Sequence, residues 1–195
     1  MLEKISEVES DLIDQAKAGD RGAYGELVTR YYENVVGLVY RLCGDGQIAQ
    51  DATQEAFIRA WLKLASYQPR GPFRNWVYRI AVNTALDILR QKPQESFEQG
   101  EGVLIMAEKS PGPEAALIEK EQLNFLQGAV KMLPEGARTV LVLREYGELS
   151  YDEIATVLEI PIGTVMSRLN YARTRLRDIL HQYRLETERE YARSN

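Results

Sequence analysis

Apolar residues recur at intervals of three and four through the first part of the chain. Tyr24, Leu27, Val28, Tyr31, Val35, Leu38, Val39 and Leu42 form one stripe, the mark of a long amphipathic helix. Asp20 is placed to cap its start, and Gly44-Asp45-Gly46 to stop it. A second helix carries Ala56, Phe57, Ala60, Trp61 and Leu64 inward. It must end near Tyr67, because Pro69, Gly71 and Pro72 remove backbone donors and restrict the dihedral angles. A third puts Phe73, Trp76, Val77, Ile80, Ala81, Thr84 and Ile88 on one face.

From Gln91 to Glu114 the periodicity stops. Pro93, Gly100, Gly102, Pro111, Gly112 and Pro113 break it, and acids outnumber Lys92 and Lys109, which reads as a flexible acidic linker. A short ordered piece at Val103-Leu104-Ile105-Met106 fits within it. Helical spacing then returns in shorter units. Leu117, Leu123, Leu126, Val130 and Leu133 lead to Pro134, and Ala137, Val140 and Leu141 precede Gly147. Neither half alternates as a strand does. The expected class is all-α: two small helical domains, 1–90 and 115–185, joined by the linker 91–114 and followed by a C-terminal tail, 186–195.

The second domain ends in a recognisable unit. Ser150-Tyr151-Asp152-Glu153 is a capping box opening a helix that buries Ile154, Ala155 and Leu158. The turn Glu159-Ile160-Pro161 leads to a helix whose inward stripe is Val165, Leu169, Ala172, Leu176 and Ile179. At about 100° per residue the opposite face presents Gly163, Met166, Ser167, Asn170 and Tyr171, with Arg168 and Arg175 on its flanks. A short helix, a tight turn and a longer basic helix have the dimensions of a helix-turn-helix, expected here as a winged-helix-like domain of three or four helices. An ordinary helical hairpin with solvated arginines is the plainer alternative.

Composition narrows the class. The 195 residues are 45% hydrophobic and 27% charged, ordinary for a folded protein. No apolar run approaches the roughly 20 residues that cross a bilayer, and Met1-Leu2-Glu3-Lys4-Ile5 lacks the pattern of a secretion signal. The lone Cys43, a small buried hydrophobe by its position, fits a reducing cytoplasm. A net charge of −5 argues against a chain that coats DNA unaided. Two segments depart from that balance. Arg59, Lys63, Arg70, Arg74 and Arg79 follow one another with no acid between Glu55 and Asp87, as do Arg168, Arg173, Arg175 and Arg177 between Glu159 and Asp178. On charge alone, two solvated helix faces account for them. Catalysis has little to stand on. His181 is the only histidine, no Cys/His spacing suggests zinc, and no phosphate-binding loop or dinucleotide fingerprint is present, so no enzyme, cofactor, metal or small-molecule substrate is expected.

Two motifs carry a resemblance. Asp51-Ala-Thr-Gln-Glu-Ala-Phe-Ile-Arg-Ala-Trp61 with Phe73-Arg-Asn-Trp-Val-Tyr-Arg-Ile-Ala-Val-Asn83, and Leu149-Ser-Tyr-Asp-Glu-Ile-Ala155 with Ile160-Pro-Ile-Gly-Thr-Val-Met-Ser-Arg168, resemble the extracytoplasmic-function sigma factors of bacterial RNA polymerase. The likeness runs from about Asp11 to Leu180, with both motifs in the family's order. It implies that Asp51, Gln54, Glu55 and Arg59 bind the clamp coiled coil of the polymerase's largest subunit. It implies that Tyr67, Arg70, Arg74, Tyr78, Arg79 and Asn83 meet the melted minus-ten strand, with a flipped-base pocket at Gln68 to Pro72. Phe73 and Trp76 fall on the apolar stripe and are assigned to the core. Gly163, Thr164, Ser167, Arg168, Asn170, Tyr171 and Arg175 are implied to meet the minus-thirty-five duplex, although many relatives are basic where this chain has Met166 and Tyr171. The implied partners are core polymerase (clamp, and flap of the second-largest subunit), promoter DNA and an anti-sigma factor. The implied location is the cytoplasm, where that factor can hold the chain at the membrane without inserting it. Two rival readings are a response-regulator-type activator, whose first half would need strands, and a helical adaptor without DNA contacts.

Overall fold

The computed structural model describes residues 2–68, 71–91 and 113–194, with side chains for 8–68, 71–91 and 122–185. The chain divides into two units, Met1–Gly100 and Glu101–Asn195, each taken by itself below. Most of the expected linker, with Val103 to Met106, lies outside the described residues, as do Pro69 and Arg70.

In the first unit, helix α1 (Leu2–Lys17) packs on α2 (Arg21–Cys43), and α3 (Gly46–Lys63) packs against both α2 and α4 (Phe73–Gln91). Asp20 caps α2 as its position requires: its carboxylate accepts from Gly22 N at 2.7 Å and Ala23 N at 3.1 Å. The helix stops at Gly44, whose φ of +66° is left-handed backbone that glycine adopts without strain. Asp45 then caps α3 by accepting from Ile48 N at 2.9 Å. Along α3, Ala49, Ala52, Ala56 and Ala60 are all buried, a stripe of small side chains that lets neighbouring helices come close. Leu27, Val35, Leu38, Val39 and Leu42 fill the space from α2. A single 3₁₀ turn, Leu64–Ser66, ends α3 and turns the chain towards α4.

Helix α1 has no counterpart in the sequence reading. Among its described side chains only Leu12 and Ala16 are buried, too sparse a pattern to stand out.

The second unit contains α5 (Pro113–Lys131), α6 (Glu135–Glu145), α7 (Tyr151–Leu158) and α8 (Ile162–Ser194). Val140, Leu143, Leu149, Ile154, Val165, Leu169 and Ala172 form its core. No strand occurs among the described residues, so the helix-turn-helix has no β wing there and the first unit no receiver-type sheet. Helix α8 continues through the segment expected as a tail, as far as Ser194. After Gly163 it contains neither glycine nor proline, so nothing in the chain stops it.

The alanine stripe generates a prediction. Ala52→Leu forces a branched side chain into a fully closed contact and should destabilise the first unit by about 1–3 kcal/mol, read from the midpoint of chemical unfolding. An unchanged midpoint would show that α3 is not closely packed there.

Candidate polymerase and nucleic-acid interfaces

The face of α3 opposite its alanines is open. Asp51 and Gln54 are exposed, and Gln47 Nε2 donates to Asp51 Oδ1 at 2.9 Å. One and two turns further along, Ile58 (56% exposed) and Leu62 (75%) continue the strip as bare apolar surface. Both sit at helical spacing from Asp51 and Gln54, although hydropathy alone does not tell them from core residues. Glu55 is half-buried and engaged: Arg59 Nε donates to its Oε1 at 2.7 Å. Arg59 also reaches Thr84 Oγ1 at 3.4 Å and Asp87 Oδ2 at 3.6 Å. It therefore ties α3 to α4 instead of projecting from the strip, unlike Asp51 and Gln54.

The aromatic residues around the α3–α4 connection are sorted differently from expectation. Tyr67 is 5% exposed and Tyr78 3%, so neither ring is free to stack on a base in this structure. Tyr67 packs edge-on to Phe73 at 5.4 Å and against Trp76 at 4.8 Å, and Phe73 meets Tyr31 at 5.8 Å. Phe73 is core, as expected, but Trp76 is half-exposed. The cause is that α4 is covered from two sides, by α2 and α3. A helix so covered buries a sector far wider than one stripe, and Tyr78 falls inside it. The less covered side of α4 is a strip with half-buried Trp76 and Arg79 and exposed Asn83, at i, i+3 and i+7. Arg74 is half-exposed off that strip. Arg70 lies outside the described residues.

Helix α1 holds the start of this connection. Lys17 Nζ donates to the Tyr67 carbonyl at 3.2 Å, and the Tyr31 hydroxyl donates to Glu9 Oε2 at 2.6 Å, with Arg30 3.8 Å from the same oxygen. Burial, then the bond to Glu9, pushes the Tyr31 hydroxyl well above its ordinary pKa. Burial does the same at Tyr24, whose hydroxyl donates to the Phe57 carbonyl at 2.6 Å.

The helix-turn-helix is formed as its sequence dictates. Ser150 Oγ accepts from Glu153 N at 3.3 Å and Glu153 Oε2 from Ser150 N at 2.8 Å, completing the capping box. Glu159, at φ +53°, makes the left-handed step that ends α7, and the Pro161 carbonyl accepts the first bonds of α8. On α8, Gly163, Ser167, Asn170, Tyr171 and Arg175 are exposed, while Thr164 and Arg168 are half-buried. Ile162 and Met166 stand exposed beside them. Arg173 Nη2 bonds Glu145 Oε1 at 2.9 Å, tying α8 to α6. Behind the reading face, a groove of about 550 Å³ runs between α5, α6 and α8, floored by Leu126, Val130, Leu141, Leu176 and Leu180, with arginines on its rim.

Among the described residues no group of His, Cys, Asp and Glu side chains is placed to hold a metal. None of their helices is long and apolar enough to cross a membrane.

Two helical units, the second a helix-turn-helix with an open basic recognition helix, define a DNA-binding transcription protein. Known proteins agree with both units. The family model for sigma-70 region 2 matches residues 27–94, and that for sigma-70 region 4 matches residues 126–176. The chain is 38% identical over 178 residues to the RNA polymerase sigma-H factor of Pseudomonas aeruginosa, covering 86% of this chain and 91% of that protein. It is 36% identical over 173 residues to the sigma factor SigW of Bacillus subtilis (85% and 92% covered), and 37% identical over 174 to the sigma-E factor of Escherichia coli (83% and 88%). Among solved structures, CnrH in complex with the cytosolic domain of CnrY matches with a TM-score of 0.68 at 26% identity, covering 90% of this chain and 98% of that one. The sigma factor RpoE of Bartonella quintana, in complex with the anti-sigma factor NepR, shares the fold at a TM-score of 0.65 and 21% identity, over 81% and 96% of the two chains. The chain belongs to the extracytoplasmic-function family of RNA polymerase sigma factors, and is thus an alternative sigma factor for transcription initiation and not an enzyme.

The buried tyrosines give a pH prediction. Their hydroxyls are held neutral in the folded chain, whereas an unfolded tyrosine ionises near 10.0. Their contribution is therefore complete below that value and is lost as pH rises through and beyond it. Denaturation midpoints should fall in alkaline solution above pH 10.0, less steeply in a Tyr24→Phe, Tyr31→Phe double variant. Equal slopes would contradict the assignment.

Proposed function

We propose that this chain docks on core RNA polymerase through the open strip of α3, and that the holoenzyme so formed reads promoters with both units. The observation that carries the docking is the composition of that strip. Asp51 and Gln54 offer acceptors to a basic partner, and Ile58 and Leu62 beyond them offer apolar area that nothing in the unit covers. A helix of opposite character, such as one strand of the clamp coiled coil, satisfies both ends. Glu55 and Arg59 keep α3 at its angle to α4, a supporting role.

Upstream of transcription, Trp76, Arg79 and Asn83 on α4, with Arg74 beside them and Arg70 in the preceding connection, receive the melted minus-ten strand. Such binding wants cations interleaved with a ring, and a stacked base is worth roughly 1–3 kcal/mol. Trp76 takes the stacking role that the buried Tyr67 and Tyr78 do not, with the Tyr67 ring packed behind it. Helix α8 enters the minus-thirty-five duplex with Gly163, Thr164, Ser167, Asn170 and Tyr171 towards the bases and Arg168 and Arg175 on the flanks. The apolar groove behind it suits the polymerase flap. An anti-sigma factor, the partner seen with the RpoE relative, covers these faces when the factor is silent and sets where in the cell it waits; when active it works on DNA in the cytoplasm. The net charge of −5 fits this division of labour: alone the chain holds DNA weakly, and polymerase contributes most phosphate contacts.

Two measurements test the reading. Asp51→Arg with Leu62→Glu changes only exposed positions and leaves the Glu55–Arg59 tie intact. It should abolish co-elution with core polymerase in gel filtration at concentrations where the unaltered chain binds, and undiminished co-elution removes the docking face. Arg175→Ala should leave co-elution unchanged, weaken promoter binding alike for all sequences and lower the salt slope by about one. An unchanged slope would take Arg175 off the phosphates.

A further inference from the structure

The inference rests on the reading that α8 enters duplex DNA, and it concerns which base groups the helix recognises. Arg168 is the side chain best suited to a guanine edge, yet its guanidinium is packed against α6. A Cβ built on Gly136, in the first turn of α6, would stand 3.0 Å from Arg168 Cζ, 3.1 Å from Nη1 and 3.2 Å from Nε. Three nearly equal distances mean that the guanidinium lies face-on to the glycine, in a space that any larger residue would invade. Gly136 is thus the seat of Arg168. The Ser167 hydroxyl is also turned back, donating to the Thr164 carbonyl at 3.1 Å. Arg173, the next cation along, is held by Glu145.

Among its exposed polar and basic residues, the start of α8 also presents large apolar side chains. Met166 is 49% exposed, Tyr171 51% and Ile162 38%. Five residues at about 100° each set Met166 and Tyr171 about 140° apart, astride Asn170 and Ser167. Large apolar side chains left open on a helix that is otherwise basic mark a surface awaiting a partner. The exposed Arg175 and Arg177 point to a polyanion as that partner. The major groove contains one apolar group, the thymine C5 methyl, and asparagine pairs with adenine.

We propose that this factor reads its upstream element chiefly as A·T pairs, with Met166 and Tyr171 contacting thymine methyl groups and Asn170 contacting adenine, and not as guanine through arginine. Met166 and Tyr171 are then specificity-determining residues, and the contact with Gly136 keeps Arg168 off the base edges.

Uracil tests this directly, because it keeps the pairing and hydrogen-bonding edges of thymine and lacks only the methyl. Holoenzyme assembled from the full chain and bacterial core polymerase is used to select upstream elements from a duplex pool randomised in that region. The selected duplex is then rebuilt with uracil at single thymines. Each contacted thymine should lose about fourfold in affinity, the weight of one buried methyl-sized group. Met166→Ala and Tyr171→Ala should each weaken the thymine duplex similarly and abolish uracil sensitivity at one position, and Met166→Arg should shift selection towards guanine. Uracil duplexes bound as tightly as thymine duplexes, or alanine variants with full uracil sensitivity, overturn the proposal while leaving duplex reading intact. A holoenzyme that starts transcripts but selects no upstream sequence overturns the duplex-reading role of α8 itself, and the proposal with it.

Discussion

The close approach of α3 to its neighbours is the constraint on which the first unit depends. Ala49, Ala52, Ala56 and Ala60 are buried along one side of that helix, so α2 and α4 can both reach it. Small side chains bury little area each, and the helices compensate by proximity and by the larger residues that α2 brings: Leu27, Leu38 and Leu42. The same arrangement fixes what is left outside. With its alanine side closed and Phe57 packed inward, α3 has one remaining face, and Asp51, Gln54, Ile58 and Leu62 lie on it. The tie from Arg59 to Glu55, Thr84 and Asp87 then sets the angle between that face and the open strip of α4. The two strips are two sides of one packed pair of helices.

The second unit solves a similar problem with different means. Its core is made of branched residues, and its reading helix is placed by punctuation: a capping box at Ser150, a left-handed Glu159, and Pro161 at the head of α8. The exposed face of α8 is defined because Val165, Leu169 and Ala172 cannot be turned outward without opening that core. Its Arg168 shows how packing against α6 can engage a side chain that composition alone reads as free.

Much of this was legible in the sequence. The stripes of α2, α4 and α8 are regular and long, and the caps at Asp20 and Ser150 use residue types with few other local roles. The family likeness rests on motifs that span both units. Other features depend on neighbours that a one-dimensional pattern does not contain. Helix α1 buries only Leu12 and Ala16 among its described side chains, and so leaves almost no period to detect. Tyr78 looks like a candidate for stacking until α2 and α3 are seen to cover α4 from two sides, and Tyr67 until its ring is found against Phe73 and Trp76. Arg59 lies beside Asp51 and Gln54 in sequence but turns towards Asp87. Ile58 and Leu62 read as ordinary helix residues, and only the folded unit shows them to be bare apolar surface. The continuation of α8 to Ser194 shows that a polar composition does not end a helix when no glycine or proline intervenes.

The central claim is that the chain makes a polymerase start RNA at chosen sites. Run-off transcription with purified chain, bacterial core RNA polymerase and a library of genomic fragments tests it most directly. The account predicts discrete transcripts from a subset of fragments, absent when the chain is omitted. No transcript from any template, while a known initiation factor works in the same reaction, would contradict it.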